Sequence, residues 1–127
     1  MTNTDKKVIL IVEDEFTLKS ILRDKLVSSG FTCLSAKDGV EGLTMAIKSH
    51  PDLILLDIIM PRMNGVEMLK KLREDKWGKN AVVLLLTNDT DPQNMSETLK
   101  INAADYLIKS DWGLEDIVNK IKIILGM

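Results

Sequence analysis

The chain has 127 residues, 45% of them apolar, and its 17 lysines and arginines against 19 aspartates and glutamates give a formal net charge of −2. These values fit one globular domain over residues 1–127 and exclude disordered, collagen-like and, with a single cysteine, disulfide-framework classes. No basic field is present to hold a nucleic acid backbone, and the longest apolar run, Ala81 to Leu86, is too short to cross a membrane. We therefore expect a cytoplasmic protein that binds neither nucleic acid nor membrane directly.

Five short runs of aliphatic and β-branched residues predict strands. They are Val8–Val12, Thr32–Ala36, Leu53–Leu56, Val82–Leu86 and Asp105–Ile108. Each gap between them is long enough for a crossover helix and too long for a hairpin, so the strands are expected to be parallel. The first, third and fourth runs are apolar at every position, a pattern typical of strands that are buried on both faces, whereas the second is more polar and suits a sheet edge.

Apolar residues at helical spacing occupy the gaps. In chain order the stripes are Leu18, Ile21, Leu22, Lys25 and Leu26; Val40, Leu43 and Ile47; Val66, Met68, Leu69 and Leu72; Met95, Leu99 and Ile101; and Leu114, Ile117, Val118, Ile121 and Leu125. Gly30 is expected to end the first helix in a left-handed conformation, and Asp91 and Pro92 are expected to begin the fourth. The alternation predicts an α/β fold, an open parallel sheet with helices on both faces.

Ionisable and hydroxyl side chains follow four of the five predicted strands. Glu13 and Asp14 follow the first strand, Asp57 the third, Thr87 the fourth and Lys109 the fifth. Because ligands of such sheets bind outside the carboxyl ends of the strands, these side chains are expected to meet. Crowded carboxylates favour a hard cation such as Mg²⁺. A carboxylate nucleophile, a divalent ion, a lysine and a hydroxyl are together the groups that phosphoryl transfer onto an aspartate requires.

Each of these residues alone has an ordinary structural explanation. An isolated aspartate at a strand end more often begins a turn or caps a helix than acts as a nucleophile. Glu13 and Asp14 would also stabilise the beginning of the following helix through its dipole. Thr87 fits as a plain strand residue and Lys109 as a solvated one. The joint placement of all five at one sheet edge is what favours a functional site.

Four stretches of the chain resemble the receiver domain of two-component response regulators. They are Val8–Glu15, Asp57–Gly65, Leu86–Thr87 and Ala103–Lys109, and the resemblance extends from about Lys6 to Leu125. The stretch after Asp57 is highly specific, because Met60, Pro61 and Gly65 stand at set distances from the acid. The resemblance implies a flavodoxin-like (βα)5 fold, with the five-stranded parallel sheet in the order 2-1-3-4-5.

The resemblance also implies a role for the residues of the acidic edge. Asp57 corresponds to the residue that accepts a phosphoryl group from a histidine kinase or a histidine phosphotransfer protein. Glu13 and Asp14 correspond to the acidic pair that binds Mg²⁺ together with Asp57 and the backbone carbonyl of Ile59. No enzyme activity is implied beyond the domain's own phosphorylation and dephosphorylation.

A conformational switch is implied as well. Thr87 corresponds to the switch hydroxyl, Lys109 to the lysine that pairs with the phosphoryl group, and Tyr106 to the aromatic residue whose ring moves inward when Thr87 is recruited. The implied downstream protein partner binds the face formed by the fourth helix, fifth strand and fifth helix, with the domain a monomer or a phosphorylation-dependent dimer. The five β–α units occupy the chain from Val8 to Leu125, so we expect a single receiver domain without an output domain.

Departures from the family pattern keep alternatives open. Ser110 stands where proline commonly follows the lysine, so a trans peptide bond is expected there, and Asn88 stands where a small residue is usual. A degenerate receiver that binds partners without phosphorylation is therefore an alternative. A phosphatase with an aspartyl-phosphate intermediate usually has a second aspartate where Ile59 stands. A flavodoxin-like cofactor binder would need a phosphate-binding loop where this chain has Glu13-Asp14-Glu15.

Overall fold

The computed structural model describes residues 6–88 and 91–127, and in this range strands and helices alternate along the chain. The elements are β1 (Val8–Val12), α1 (Phe16–Ser28), β2 (Thr32–Ala36), α2 (Gly39–Ser49), β3 (Leu53–Leu56), α3 (Gly65–Glu74), β4 (Val83–Thr87), α4 (Pro92–Lys100), β5 (Asp105–Ile108) and α5 (Leu114–Ile124). Two short 3-10 turns, Gly78–Asn80 and Lys109–Asp111, precede β4 and follow β5. The predicted bounds of β1, β2, β3 and β5 are confirmed.

The five strands form one parallel sheet in the order β2-β1-β3-β4-β5, which confirms the predicted fold. Because side chains alternate across a strand, Leu10 and Val12 of β1 enter one core cluster while Ile9 and Ile11 enter the other. The first cluster lies under α2 and α3, and the second lies under α1 and α5. An uninterrupted apolar run thus supplies two cores at once, and every carboxyl strand end is left at one edge.

The buried face of α2 differs from the predicted stripe. Gly42 and Ala46 are buried against the sheet, whereas Ile47 is 38% exposed. A Cβ atom added to Gly42 would lie 2.8 Å from Cγ1 of Val12, so the helix approaches β1 more closely than a larger side chain allows. The periodicity therefore predicts the helix correctly, but it assigns large apolar residues to the buried face, whereas the small residues Gly42 and Ala46 are the ones that contact the sheet.

The other departures from the predicted elements are small. β4 begins one residue later than predicted, at Val83, and includes Thr87. Gly30 has a φ of +99° after α1, as expected for its left-handed cap, and Asp91 caps α4 by accepting a hydrogen bond from the Gln93 amide at 2.9 Å. In α4 the predicted stripe is only partly right, since Leu99 is 48% exposed.

The amino edge of the sheet, opposite the predicted site, carries an aromatic pair. His50 ends α2 with a φ of +49°, and its ring stacks on Trp77 with the centroids 4.5 Å apart and the planes 7° from parallel. Trp77 also packs against the first core cluster. Among the residues that the structure describes, no helix combines the length and apolar character needed to span a bilayer.

Gly65 allows α3 to begin directly beside the strand end that carries Asp57. A Cβ atom there would lie 2.7 Å from Cα of Ile58 and even closer to the Asp57 carbonyl oxygen, which is backbone and cannot rotate away. We expect Gly65→Ala to lower the free energy of unfolding by about 2–3 kcal/mol because α3 must shift. Urea unfolding measures the change.

Gly113 provides the matched control, because it also lies at the beginning of a helix, directly before α5. A Cβ atom there would meet its nearest neighbour, the Asp116 carboxylate, at an ordinary 3.6 Å. Gly113→Ala is expected to change the free energy of unfolding by less than about 1 kcal/mol. Equal losses in the two variants would contradict the role assigned to the close approach at Gly65.

Candidate functional site

The structure brings the predicted site residues together at the carboxyl edge of the sheet. They line an open cleft of about 380 Å³. The lining residues are Glu13, Asp14, Glu15, Asp57, Ile59, Thr87, Asn88 and Lys109. Each strand end delivers its residue directly: β1 is followed by the acidic pair, β3 by Asp57, β4 ends at Thr87, and β5 is followed by Lys109.

Lys109 connects the two buried acids of the cleft. Its Nζ lies 2.8 Å from Oε1 of Glu13 and 2.9 Å from Oδ2 of Asp57. Glu13 is only 3% exposed and Asp57 only 5%, so both carboxylates depend on these charged partners. The other oxygen of each accepts a backbone hydrogen bond, from the Glu15 amide at 3.1 Å and the Ile59 amide at 3.2 Å. Both carboxylates are thereby held in fixed orientations.

The three acids form a group suited to a divalent cation. One carboxylate oxygen each from Glu13, Asp14 and Asp57 can be chosen so that all three lie within 4.8 Å of one another. Asp14 is exposed and faces solvent, which gives an ion a route of entry. An oxygen-only donor set favours Mg²⁺ over Zn²⁺, and Mg²⁺ commonly keeps several waters while binding a few carboxylates. The residues present therefore fit the predicted cofactor.

The acidic side chains of the cleft outnumber its basic ones. Burial raises the pKa of Glu13 above its usual range, although hydrogen bonds from Lys109 and the Glu15 amide oppose that shift. Burial alone would lower the pKa of Lys109, but its hydrogen bonds to Glu13 and Asp57 outweigh burial and raise it. Lys109 therefore stays protonated at neutral pH, and the cleft holds three carboxylates against one ammonium group. This excess negative charge attracts a cation.

Glu13→Gln is expected to stabilise the protein at pH 7 by about 1 kcal/mol. Since the pKa of Glu13 is raised on folding, the folded state binds more protons than the unfolded state between the ordinary and the raised value. Stability accordingly falls as pH rises through that window and stays lower above it. The variant lacks this decline, so its advantage should be present at pH 7 and lost near pH 4.

Urea unfolding of both proteins at these two pH values tests the expectation. Asp24→Asn is the control, because it removes the same charge from an exposed position on α1. If the control gained as much stability as Glu13→Gln, the effect would come from net charge and not from burial of Glu13.

The predicted switch residues lie on adjacent strands. Thr87 is fully buried at the end of β4, and the Tyr106 ring is buried in the first core cluster. Tyr106 is paired in register with Leu85, two residues before Thr87 on β4. Tyr106 therefore packs among core residues on the strand next to the one that carries the hydroxyl.

The departures at Ser110 and Asn88 leave the cleft intact. In the described part of the chain no peptide bond is cis, so the Lys109–Ser110 bond is trans as expected. Lys109 instead begins the 3-10 turn Lys109–Asp111, which directs its side chain to Glu13 and Asp57. Asn88 lines the cleft with an exposed side chain. At Ile59, where a phosphatase usually has its second acid, a largely exposed aliphatic side chain is present.

One buried acid at this edge is not among the predicted site residues. Asp38 lies between β2 and α2; its carboxylate is buried, caps α2 by accepting a hydrogen bond from the Glu41 amide at 2.9 Å, and pairs with Arg62 at 3.0 Å. These contacts, with burial opposing them, hold the pKa of Asp38 below its usual value. An acid followed three residues later by a glutamate is a helix-start pattern, so the cap was detectable. The ion pair with Arg62, 24 residues further along the chain, could not be predicted from the sequence.

Comparison with known proteins places the chain in a family. The family model described as "Response regulator receiver domain" matches residues 9–122. The chain therefore belongs to the response regulator receiver domain family, whose members act in two-component signalling. The family predicted from the sequence motifs is confirmed.

Several curated proteins are similar to the chain. The alkaline phosphatase synthesis transcriptional regulatory protein PhoP of Bacillus subtilis is 34% identical over 119 residues, which are 94% of this chain and 48% of that protein. The phosphate regulon transcriptional regulatory protein PhoB of Pseudomonas aeruginosa is 29% identical over 119 residues, 94% of this chain and 52% of that protein. The chain thus spans about half the length of these relatives.

Solved structures agree with the fold. A CheY-like response regulator receiver domain protein from Methanospirillum hungatei superimposes with a TM-score of 0.90 at 27% identity, covering 96% of this chain and 95% of that one. Chemotaxis protein CheY4 of Vibrio cholerae superimposes with a TM-score of 0.86 at 28% identity, covering 94% of this chain and 98% of that one. These similarities confirm the flavodoxin-like arrangement of strands and helices.

Proposed function

We propose that Asp57 accepts a phosphoryl group from a histidine kinase or histidine phosphotransfer protein, in a reaction that depends on Mg²⁺, and that phosphorylation changes the protein's binding partners. The observation that carries the proposal is the position of the Asp57 carboxylate. It lies in an open acidic cleft, 2.9 Å from the Lys109 ammonium and within 4.8 Å of carboxylate oxygens from Glu13 and Asp14. A carboxylate needs such surroundings to approach a phosphoryl group that is itself negatively charged.

The chain's own residues supply most of the chemistry in this proposal. A carboxylate oxygen of Asp57 attacks the phosphorus, and the O–P bond forms while the P–N bond to the donor imidazole breaks, with the electron pair leaving on nitrogen. Glu13, Asp14, Asp57 and the Ile59 carbonyl would hold Mg²⁺, which when bound neutralises charge on the transferred oxygens. Lys109 keeps its ion pair with Glu13 and is close enough to transfer its Asp57 contact to a phosphoryl oxygen.

The response to phosphorylation is assigned to Thr87, Tyr106 and the face of α4, β5 and α5. In this proposal the Thr87 hydroxyl donates a hydrogen bond to the new phosphoryl group, and α4 moves in response. α4 suits such a movement, because the structure buries little apolar surface on it and leaves Leu99 48% exposed. A downstream protein partner, or a second phosphorylated copy, would recognise the rearranged face.

The experiment is phosphorylation by acetyl phosphate, followed by intact mass spectrometry. We expect one phosphoryl group to be added in the presence of Mg²⁺, and none after EDTA removes divalent cations. Reduction with borohydride and peptide mapping then locates the acyl phosphate at residue 57. Addition at another residue, or equal addition with EDTA, would overturn the proposal. No addition at all would favour the alternative of a phosphorylation-independent interaction module.

A further inference from the structure

The loop that follows Asp57 contains a strained residue outside the cleft. Arg62 has a φ of +68°, and around it the Met63 amide donates to the Pro61 carbonyl at 2.8 Å, forming a γ-turn. A turn of this kind with positive φ is rare and strained for a residue that has a Cβ atom. Glycine would adopt it without strain. Something in the surroundings therefore holds Arg62 in this conformation.

The side chain of Arg62 forms an ion pair with Asp38. Its Nη1 lies 3.0 Å from Oδ2 of Asp38, whose side chain is only 3% exposed. The second carboxylate oxygen, Oδ1, accepts from the Glu41 amide at the beginning of α2. Asp38 is thus fixed by a helix, and the charge-assisted bond fixes Arg62 to that immobile carboxylate.

The remaining anchors of the loop lie nearer to Asp57. The side chains of Ile58 and Met60 are buried in the first core cluster, and the Gly65 amide donates to the Ile58 carbonyl at 2.8 Å. Ile59 lies between the two buried residues with an exposed side chain, and its amide orients Asp57. The turn at Arg62 is the part of the loop that lies against α2. The close approach is shown at Gly39, the first residue of α2, where an added Cβ atom would lie 2.9 Å from Cβ of Met63.

We propose that Arg62, through its ion pair with Asp38, is a positioning residue that keeps the Asp57–Gly65 loop in the conformation that binds the cation. The inference rests on the proposed function, because it concerns the same acidic cleft. Arg62 is not among the residues that line the cleft. It fixes the turn three residues after Ile59, whose backbone both orients Asp57 and offers the carbonyl proposed as a ligand. Residues that orient metal ligands from outside typically change affinity about 10–100-fold, and an indirect backbone route should give less.

The test compares Mg²⁺ affinity with thermal stability. Arg62→Gly removes the ion pair and at the same time relieves the strained φ, so its melting temperature should stay close to that of the wild type. We expect its dissociation constant for Mg²⁺, measured by calorimetry, to rise about 3- to 10-fold. Arg62→Lys keeps the charge and should recover a large part of the lost affinity. If Arg62 had only a structural role, Arg62→Gly would lower the melting temperature together with any change in Mg²⁺ affinity.

Two further variants sharpen the result. Asp38→Asn keeps a good cap for α2 but removes the charge, so it should weaken Mg²⁺ binding in the same direction and add little when combined with Arg62→Gly. Lys25→Ala breaks a comparable ion pair, Lys25 to Glu115 at 2.8 Å, on the far side of the sheet and should leave Mg²⁺ affinity unchanged.

The outcomes separate this inference from the function on which it rests. If wild-type protein binds Mg²⁺ and Arg62→Gly binds it within a factor of about two, the positioning role is wrong and the proposed function stands. Additive effects of Asp38→Asn and Arg62→Gly would also count against the role, since the pair would then not act as a unit. If the wild-type protein binds no Mg²⁺, both proposals fail.

Discussion

Asp57→Asn is expected to take up no phosphoryl group from acetyl phosphate in the presence of Mg²⁺. The amide nitrogen of asparagine is not a nucleophile, and its oxygen lacks the charge that drives attack on phosphorus. The variant should still fold, because asparagine has the same shape and its one oxygen can still accept a hydrogen bond from either Lys109 or the Ile59 amide, which donate to different oxygens of Asp57. Loss of labelling would therefore report on chemistry and not on unfolding.

Intact mass spectrometry after acetyl phosphate treatment measures the loss, and circular dichroism checks the fold. Asp105→Asn is the matched control, because Asp105 on β5 pairs with Lys120 at 2.7 Å much as Asp57 pairs with Lys109, but does not line the cleft. This control should be phosphorylated at the wild-type rate. Wild-type labelling of Asp57→Asn would show that another residue is the acceptor.

Arg73→Ala is expected to lower the free energy of unfolding by about 2–4 kcal/mol. Arg73 lies in the last turn of α3, and its guanidinium donates hydrogen bonds to four backbone carbonyls. The acceptors are Gly78 at 2.7 Å, Ala81 at 2.7 Å, Ile101 at 2.9 Å and Asn102 at 2.7 Å. Burial lowers the pKa of this guanidinium, but arginine stays charged at neutral pH. Alanine leaves all four carbonyls without this donor.

Urea unfolding monitored by circular dichroism gives the size of the effect. Lys71→Ala on the same helix removes an equal charge from an exposed position and should change stability by less than about 0.5 kcal/mol. Arg73→Lys should recover less than half of the loss, because an ammonium group cannot reach carbonyls of two separate loops at once. Full recovery with lysine would show that charge alone, and not the planar fork, stabilises these loops.

The fold was largely predictable because its signals are local. Runs that are apolar at every position belong to strands buried on both faces, and four of the five strands have the predicted bounds. The face of α2 was not predictable, because Gly42 and Ala46 become core residues only through the distance between that helix and β1. A periodicity argument ranks residues by size and polarity, and it has no information on how closely two elements approach.

The candidate site likewise has contacts that could be predicted from the sequence and contacts that could not. Parallel strands bring their carboxyl ends together, so the meeting of Glu13, Asp57 and Lys109 could be inferred from three separate strands. The ion pair of Arg62 with Asp38 and the contacts of Arg73 with Ile101 and Asn102 could not. Each joins residues more than twenty positions apart in the chain, and no spacing pattern predicts which loop a long cationic side chain reaches.

The two tryptophans lie at opposite edges of the sheet, and this gives the protein a built-in pair of optical reporters. Trp112 packs beside the turn that carries Lys109, whereas Trp77 is stacked on His50 at the amino edge. A change of charge in the cleft should alter the emission of Trp112 and leave that of Trp77 constant. With Trp77→Phe the remaining tryptophan emission would come from Trp112, beside the turn that carries Lys109, and with Trp112→Phe it would serve as the reference, so that the proposed cation binding could be followed in real time without an attached label.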